Sequence, residues 1–248
     1  MTDDEPIETI VSDDPRALDR HIDDVRRGLE SADAHERMDA GRTVRIAAEG
    51  DPEVVSPHLD TVVELLSDEN GSIQHSAAVA LAELAEHDPE AVIETVPALI
   101  RLLDATVAPA IEMGAIRALT RVGEVSPRAI ANVDPIVAER LGTATPPIQR
   151  VIVTVFASAV IEAPSEFPAT VAAIEETLTD DAETLRSYAA AAISLVASAD
   201  PDALSSFDAV LDRVETLEAR LDAQPWHHDE NVAEAAGRLR SLANGDQV

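Results

Sequence analysis

The sequence predicts an all-α fold, a right-handed α-solenoid of about six stacked helical hairpins, from three observations. Prolines recur as Pro15, Pro52, Pro89, Pro127, Pro164 and Pro201, in steps of 37 or 38 residues. Apolar residues follow each proline in two successive stripes at the helical period. Small residues sit in the middle of the second stripe, where helices can approach closely. A hairpin of this size cannot bury its own apolar faces, so its neighbours must stack on it.

Each repeat opens with a helix start signal. The residues before the prolines are Asp14, Asp51, Asp88, Ser126, Ala163 and Asp200. All but Ala163 are N-cap types, and proline suits the first helical position because the N–H it lacks is unpaired there anyway. A first helix, helix A, follows. Its stripe reads Val55, Leu59, Val62, Leu66 in the second repeat, Val92, Val96, Leu99, Leu103 in the third, and Phe167, Val171, Ile174, Leu178 in the fifth. After a short turn comes helix B. Its stripes are Ile73, Ala77, Ala78, Leu81, Leu84, then Ile111, Ala115, Ile116, Leu119, Val122, then Leu185, Ala189, Ala190, Ile193, Val196. The first repeat carries Glu36, Ala40, Gly41, Val44 and Ala47 there. Each helix should run for about 12–15 residues within the repeat. The repeats then lie near 14–50, 51–87, 88–125, 126–162, 163–199 and 200–244, in a single solenoid spanning 14–248. Residues 1–13 read as a flexible acidic tail.

Composition excludes many activities. The net charge is −30, from 48 acidic and 18 basic residues, and every basic residue is Arg. No Cys means no disulfide, thiolate nucleophile or Cys-ligated zinc. Without Lys there is no Walker-type phosphate lysine and no Schiff base. GxG, GxSxG and HExxH patterns are all absent. A strongly negative field argues against nucleic acid as a partner. The stretches VIVTVFASAVI and AAAAISLVASA are too short to span a membrane. The N-terminal MTDDEPIETIVSDD is acidic, unlike a signal peptide. A soluble, cytoplasmic protein without metal or cofactor is expected. Excess carboxylate with no Lys and small apolar side chains resembles proteins of salt-in halophilic archaea. At roughly 1 M salt the Debye length is only ~3 Å, which screens such a surface.

The segments LLSDENGSIQHSAAVALAEL and LTDDAETLRSYAAAAISLV resemble the HEAT repeat pattern LLxD…VRxxAAxALxxL. The matching residues are Leu66, Asp68, Ile73, Ala77, Ala78, Leu81 and Leu84, then Leu178, Asp181, Leu185, Arg186, Ala189, Ala190 and Ile193. The Arg that usually follows the helix B start is present as Arg37 and Arg186. Gln74, Glu112, Gln149 and Val232 replace it elsewhere, so no continuous Asp–Arg ladder is expected. The resemblance covers about residues 14–244. It implies a non-catalytic scaffold that binds a protein or peptide on its helix B face, concave in such arrays, with a homo-oligomer as one form of partner. HEAT-like repeats also occur in bilin lyases and in a di-iron hydroxylase of deoxyhypusine, which makes an enzyme-accessory or metal-dependent role the alternative. The hydroxylase pattern needs His-Glu pairs repeated across units, whereas His35-Glu36 stands alone.

Two features mark the candidate face. Counted from the residue equivalent to Ile73, position six carries Arg42, Arg117, Thr154 and Ala191. Positions nine and ten add Arg45, Arg121 and Arg240, and position two adds Arg150. Arg forms planar, bidentate contacts with carboxylates, so these residues could meet an acidic partner; pairing with neighbouring Glu and Asp is the simpler role. Helix B of the fourth and fifth repeats is apolar almost all round. Its outward side would be Val151, Thr154, Val155, Ser158, Tyr188, Ala191 and Leu195, either covered by its own neighbours or left for a partner. The segment QPWHHDEN, residues 224–231, gathers Trp226, His227 and His228 in about nine extra residues of the last repeat. Adjacent histidines point apart on a helix, and Trp226 suits a lid over the solenoid end, with Asp229 capping the final helix.

Overall fold

The computed structural model describes residues 6–221 and 229–245, and the described residues are helical without any strand. They fall into two compact units that divide between Val125 and Ser126, at the boundary of the third and fourth repeats. The first unit holds the first three repeats and the second unit the last three.

The first unit begins with α1 (Ile7–Asp13), α2 (Ala17–Leu29) and α3 (Ala34–Gly50). A 3₁₀ segment, Pro52–His58, leads into α4 (Leu59–Leu65), followed by α5 (Gly71–His87). Then come α6 (Pro89–Val92), a 3₁₀ turn at Ile93–Thr95, α7 (Val96–Ala105) and α8 (Pro109–Val125). The segment read as a flexible tail is α1 from Ile7 onward. It packs on α3 and buries Val11 completely. Ile7, Ile10 and Val11 give it an apolar side that acidity concealed.

The second unit opens with α9 (Pro127–Ile130), a 3₁₀ turn and α10 (Asp134–Thr143). Helix B of the fourth repeat is α11 (Pro146–Val151), one π-helical turn at Ile152–Phe156, and α12 (Ala157–Glu162). After a 3₁₀ turn come α13 (Pro168–Thr177), α14 (Glu183–Ala199), α15 (Phe207–Leu221) and α16 (Asp229–Ala243). Phe156 and Phe167 are fully buried and meet edge to face, with ring centroids 5.9 Å apart.

Helix A of the second to fifth repeats is shorter than expected, because a second proline interrupts it. Pro57, Pro97, Pro135 and Pro168 stand at or near the start of its main segment. Each removes an N–H and crowds the preceding turn, so the chain makes one tight turn before the longer helix begins. The proposed N-caps hold in part. Asp88 accepts from Ala91 N–H, and Asp200 from Asp202 N–H. Asp14 and Asp51 do not cap; they pair with Arg20 and Arg16 at 3.0 and 3.1 Å.

The helix B stripes are buried as read, with Ile73, Ala77, Leu81, Leu84, Ala115, Ile116, Leu119, Ala189 and Ile193 all at 1% exposure or less. The residue after the helix B start has a role that does not require Arg. Arg37, Gln74, Gln149 and Arg186 each donate to a carbonyl at the end of the preceding helix or turn. These carbonyls lack intrahelical partners, and a Gln amide satisfies them as an Arg does. Arg37 also pairs with Asp68 of the next repeat at 3.4 Å.

Candidate functional site

The predicted face divides into two chemically different parts. In the first unit, α3 and α8 present the candidate arginines, and each is engaged by the protein's own carboxylates. Arg42 lies 3.5 Å from Glu8 and 3.7 Å from Asp39, and Arg45 lies 2.6 Å from Glu49. On α8, Arg117 reaches back to Glu83 and Glu86 of α5, both at 3.1 Å. Arg121 joins Glu86 at 3.4 Å and Glu124 at 3.0 Å. Hydrogen bonding to Glu124 holds the Arg121 guanidinium above its usual range. The intramolecular role is therefore the one these four arginines fill. Helix α1, absent from the expectation, supplies Glu8. In the second unit Arg240 behaves likewise, held above its ordinary value by Glu218 and Glu215.

A cleft of about 330 Å³ lies beside this network, lined by Met38, Arg42, Arg45, Ser72, His75 and Ser76. Burial pushes His75 below its ordinary value, and the charge of Arg45 adds to that. Its Nδ1 is buried without a hydrogen-bond partner among the described residues. The cations around it are already paired, which leaves the cleft little net attraction for an anion.

The apolar face in the second unit is open. Thr154 and Leu195 are exposed, and Val155, Ser158, Tyr188 and Ala191 are half-buried. Leu195 is 38% exposed. Neighbouring helices therefore do not cover this side. Val151 is the exception and corrects the expectation. It is buried, five residues past the start of α11, where α5 and α8 hold the buried Ser76 and Gly114. The π turn widens the helix immediately after Val151 and lies at the exposed Thr154; such turns recur at functional sites.

Arg150 differs from Arg42, Arg45, Arg117, Arg121 and Arg240. It is exposed and forms no ion pair or side-chain hydrogen bond among the described residues. It stands at the rim of a cleft of about 300 Å³ between the starts of α11 and α14, walled by Pro146, Pro147, Leu185 and Tyr188.

Two buried carboxylates escaped the sequence reading. Asp134 accepts hydrogen bonds from the Ala169 and Thr170 N–H groups at 2.8 and 2.7 Å. Glu175 accepts from the N–H of Ser205 at 2.8 Å and from its hydroxyl. Each caps the start of helix A in the next repeat, so they are structural groups. Asp134 had left a signal: it interrupts the apolar stripe where Leu59, Val96 and Val171 stand. Glu175 had left none.

Among the described residues no three His, Asp or Glu side chains form a metal-ligating group. His58 pairs with Asp19 at 3.1 Å and His87 with Glu53 at 2.9 Å. Trp226, His227 and His228 lie outside the described residues. Asp229 begins α16, whose buried side is Val232, Ala235, Ala236 and Leu239.

No family model matches the chain, and no curated protein does. Among solved structures it is similar to the crystal structure of an engineered protein, at 21% identity and a TM-score of 0.70, over 91% of this chain and 97% of that one. It is also similar to the complex of CpcE and CpcF of phycocyanin lyase from Nostoc sp. PCC7120, at 17% identity and a TM-score of 0.44, over 94% of this chain and 87% of that one. The first likeness concerns the fold alone, and the second is too slight to carry an argument. From its own helices and that likeness, the chain is an all-α helical-repeat protein built as a solenoid of hairpins.

Proposed function

We propose that this chain is a non-catalytic binding module of HEAT-like type. It holds a protein or peptide partner on the helix B face of its second unit. One observation carries the reading: the half-buried Val155, Tyr188 and Ala191 and the exposed Leu195 form a partly exposed apolar strip on a chain of net charge −30. A surface this acidic has polar side chains to spare, and leaving an apolar strip uncovered marks an interaction site. Arg42, Arg45, Arg117 and Arg121 of the first unit are not part of this site, because their own carboxylates occupy them. No described helix is long and apolar enough to cross a membrane. The module belongs, in this reading, to a high-salt cytoplasm where its acidic surface is screened.

The test uses Leu195→Arg, which should leave the unfolding transition unchanged while abolishing recovery of the partner that the wild-type chain captures. Arg117→Ala should retain that partner. Equal recovery by wild type and Leu195→Arg would overturn the assignment of the face. Concentration-dependent sedimentation that Leu195→Arg abolishes would identify the partner as a second copy of the chain.

A further inference from the structure

We infer that the cleft between the starts of α11 and α14 receives an apolar side chain of a bound peptide, while Arg150 clasps an Asp or Glu side chain next to it. This rests on the binding reading above and names the partner's chemistry.

The walls explain the apolar half. Pro146 and Pro147 carry no N–H, and Leu185 and Tyr188 face them. Gln149 also borders the cleft, but its amide is committed to the Leu141 carbonyl at 2.8 Å. A volume of about 300 Å³ suits one or two aliphatic side chains.

Arg150 explains the acidic half. In a chain with 48 carboxylates, Arg42, Arg45, Arg117 and Arg121 each pair with at least one of them. Arg150, like the exposed Arg101, pairs with none among the described residues, but Arg150 stands at the rim of the apolar cleft. Its planar guanidinium matches a carboxylate in two hydrogen bonds, beside walls that exclude water on one side.

Continuity favours a peptide over a small carboxylate. Tyr188 belongs both to the cleft and to the exposed strip, which continues along the same helix through Ala191 and Leu195. A segment lying along the strip therefore reaches the cleft without a break. Because the whole chain repels acid, one carboxylate flanked by apolar residues fits better than an acidic run.

The full chain can be tested with a displayed library of random decapeptides, with fluorotyrosine as reporter. Tyr188 is the single tyrosine, so the label gives one resonance, at the cleft. Enriched peptides should place Asp or Glu beside an apolar residue and should shift that resonance on titration. Changing the acid to its amide should weaken binding about 10-fold or more, the scale of a charge-assisted hydrogen bond. Arg150→Gln should remove that acid-over-amide preference. The inference fails if acid and amide peptides bind equally, if Arg150→Gln keeps the preference, if no peptide is enriched, or if acetate alone moves the resonance as far as the peptide does. Should it fail while Leu195→Arg still abolishes partner recovery, the binding face stands and only its chemistry is wrong. Should Leu195→Arg also have no effect, the binding face itself is lost.

Discussion

One helix position is closed throughout the first unit and opens on α14 of the second. Five residues past the start of the helix, α5 and α8 carry the buried Ser76 and Gly114 and α11 the buried Val151, whereas α14 carries the half-buried Tyr188. A Cβ built on Gly114 would lie 2.9 Å from the Ala78 side chain and 3.0 Å from its backbone. There the helices touch almost backbone to backbone, and the surrounding arginines are stapled by Glu83, Glu86 and Glu124. Around Tyr188, by contrast, a cleft remains, α14 leaves Leu195 exposed, and Arg150 is unpaired among the described residues. One periodic sequence thus builds a self-satisfied face and an unsatisfied one, and the second is the one with something left to bind.

The most severe way to break this contrast is to add bulk where the first unit is closed. Gly114→Leu should destabilise the protein by about 3 kcal/mol, since the Ala78 backbone cannot yield as a flexible side chain could. Ala191→Leu adds bulk to the open face, where Ala191 is only half-buried. It should change stability by no more than about 0.5 kcal/mol. Urea unfolding of both variants checks the pair. Equal losses would mean that the second face is as tightly packed as the first.

A smaller loss is expected from the joint between hairpins in the second unit. Asp134→Ala leaves the Ala169 and Thr170 N–H groups without their acceptor in a buried place, at a cost of about 2 kcal/mol. In the first unit the equivalent residue is Val96, a plain core side chain at 3% exposure, so Val96→Ala should show the cavity cost of a lost aliphatic group instead. The two variants separate by their rescue. Asp134→Glu should recover part of the loss, because the carboxylate acts as an acceptor and not as bulk.

Most of the fold was legible because burial repeats. The proline period, the stripes through Ile73 and Leu81, and the small Ala positions are each written in residue type and spacing. What escaped depends on contacts between repeats. Asp134 and Glu175 are ordinary acids until the start of the next helix A meets them. α1 was hidden by its charge, although Ile7, Ile10 and Val11 show an apolar side. The second prolines, Pro57, Pro97, Pro135 and Pro168, were visible and still shorten helix A in a way that the apolar stripe alone does not reveal. For the site, the sequence named the outward residues of α11 to α14 but left their cover undecided. It also grouped Arg150 with Arg42, Arg45, Arg117, Arg121 and Arg240, all of which are paired. Only the carboxylates around each guanidinium separate them.

That separation leads to the gentlest prediction. Arg117 spans α5 and α8 through Glu83 and Glu86, and its side chain is 35% exposed. Pairs this wet are screened by solvent and are usually worth little, so Arg117→Ala should lower stability by about 1 kcal/mol or less. The loss should shrink further as salt rises and the Debye length falls. Binding on the second unit should not change at all. Arg150→Gln should show the opposite pattern, with unchanged stability because no carboxylate among the described residues pairs with it, and with weakened binding of an acidic peptide. Measuring both variants by urea unfolding and by peptide titration at two salt concentrations sets the two arginines side by side. If Arg117→Ala weakens binding as much as Arg150→Gln does, the paired arginines also serve the partner, and the division between a self-satisfied and an unsatisfied face collapses.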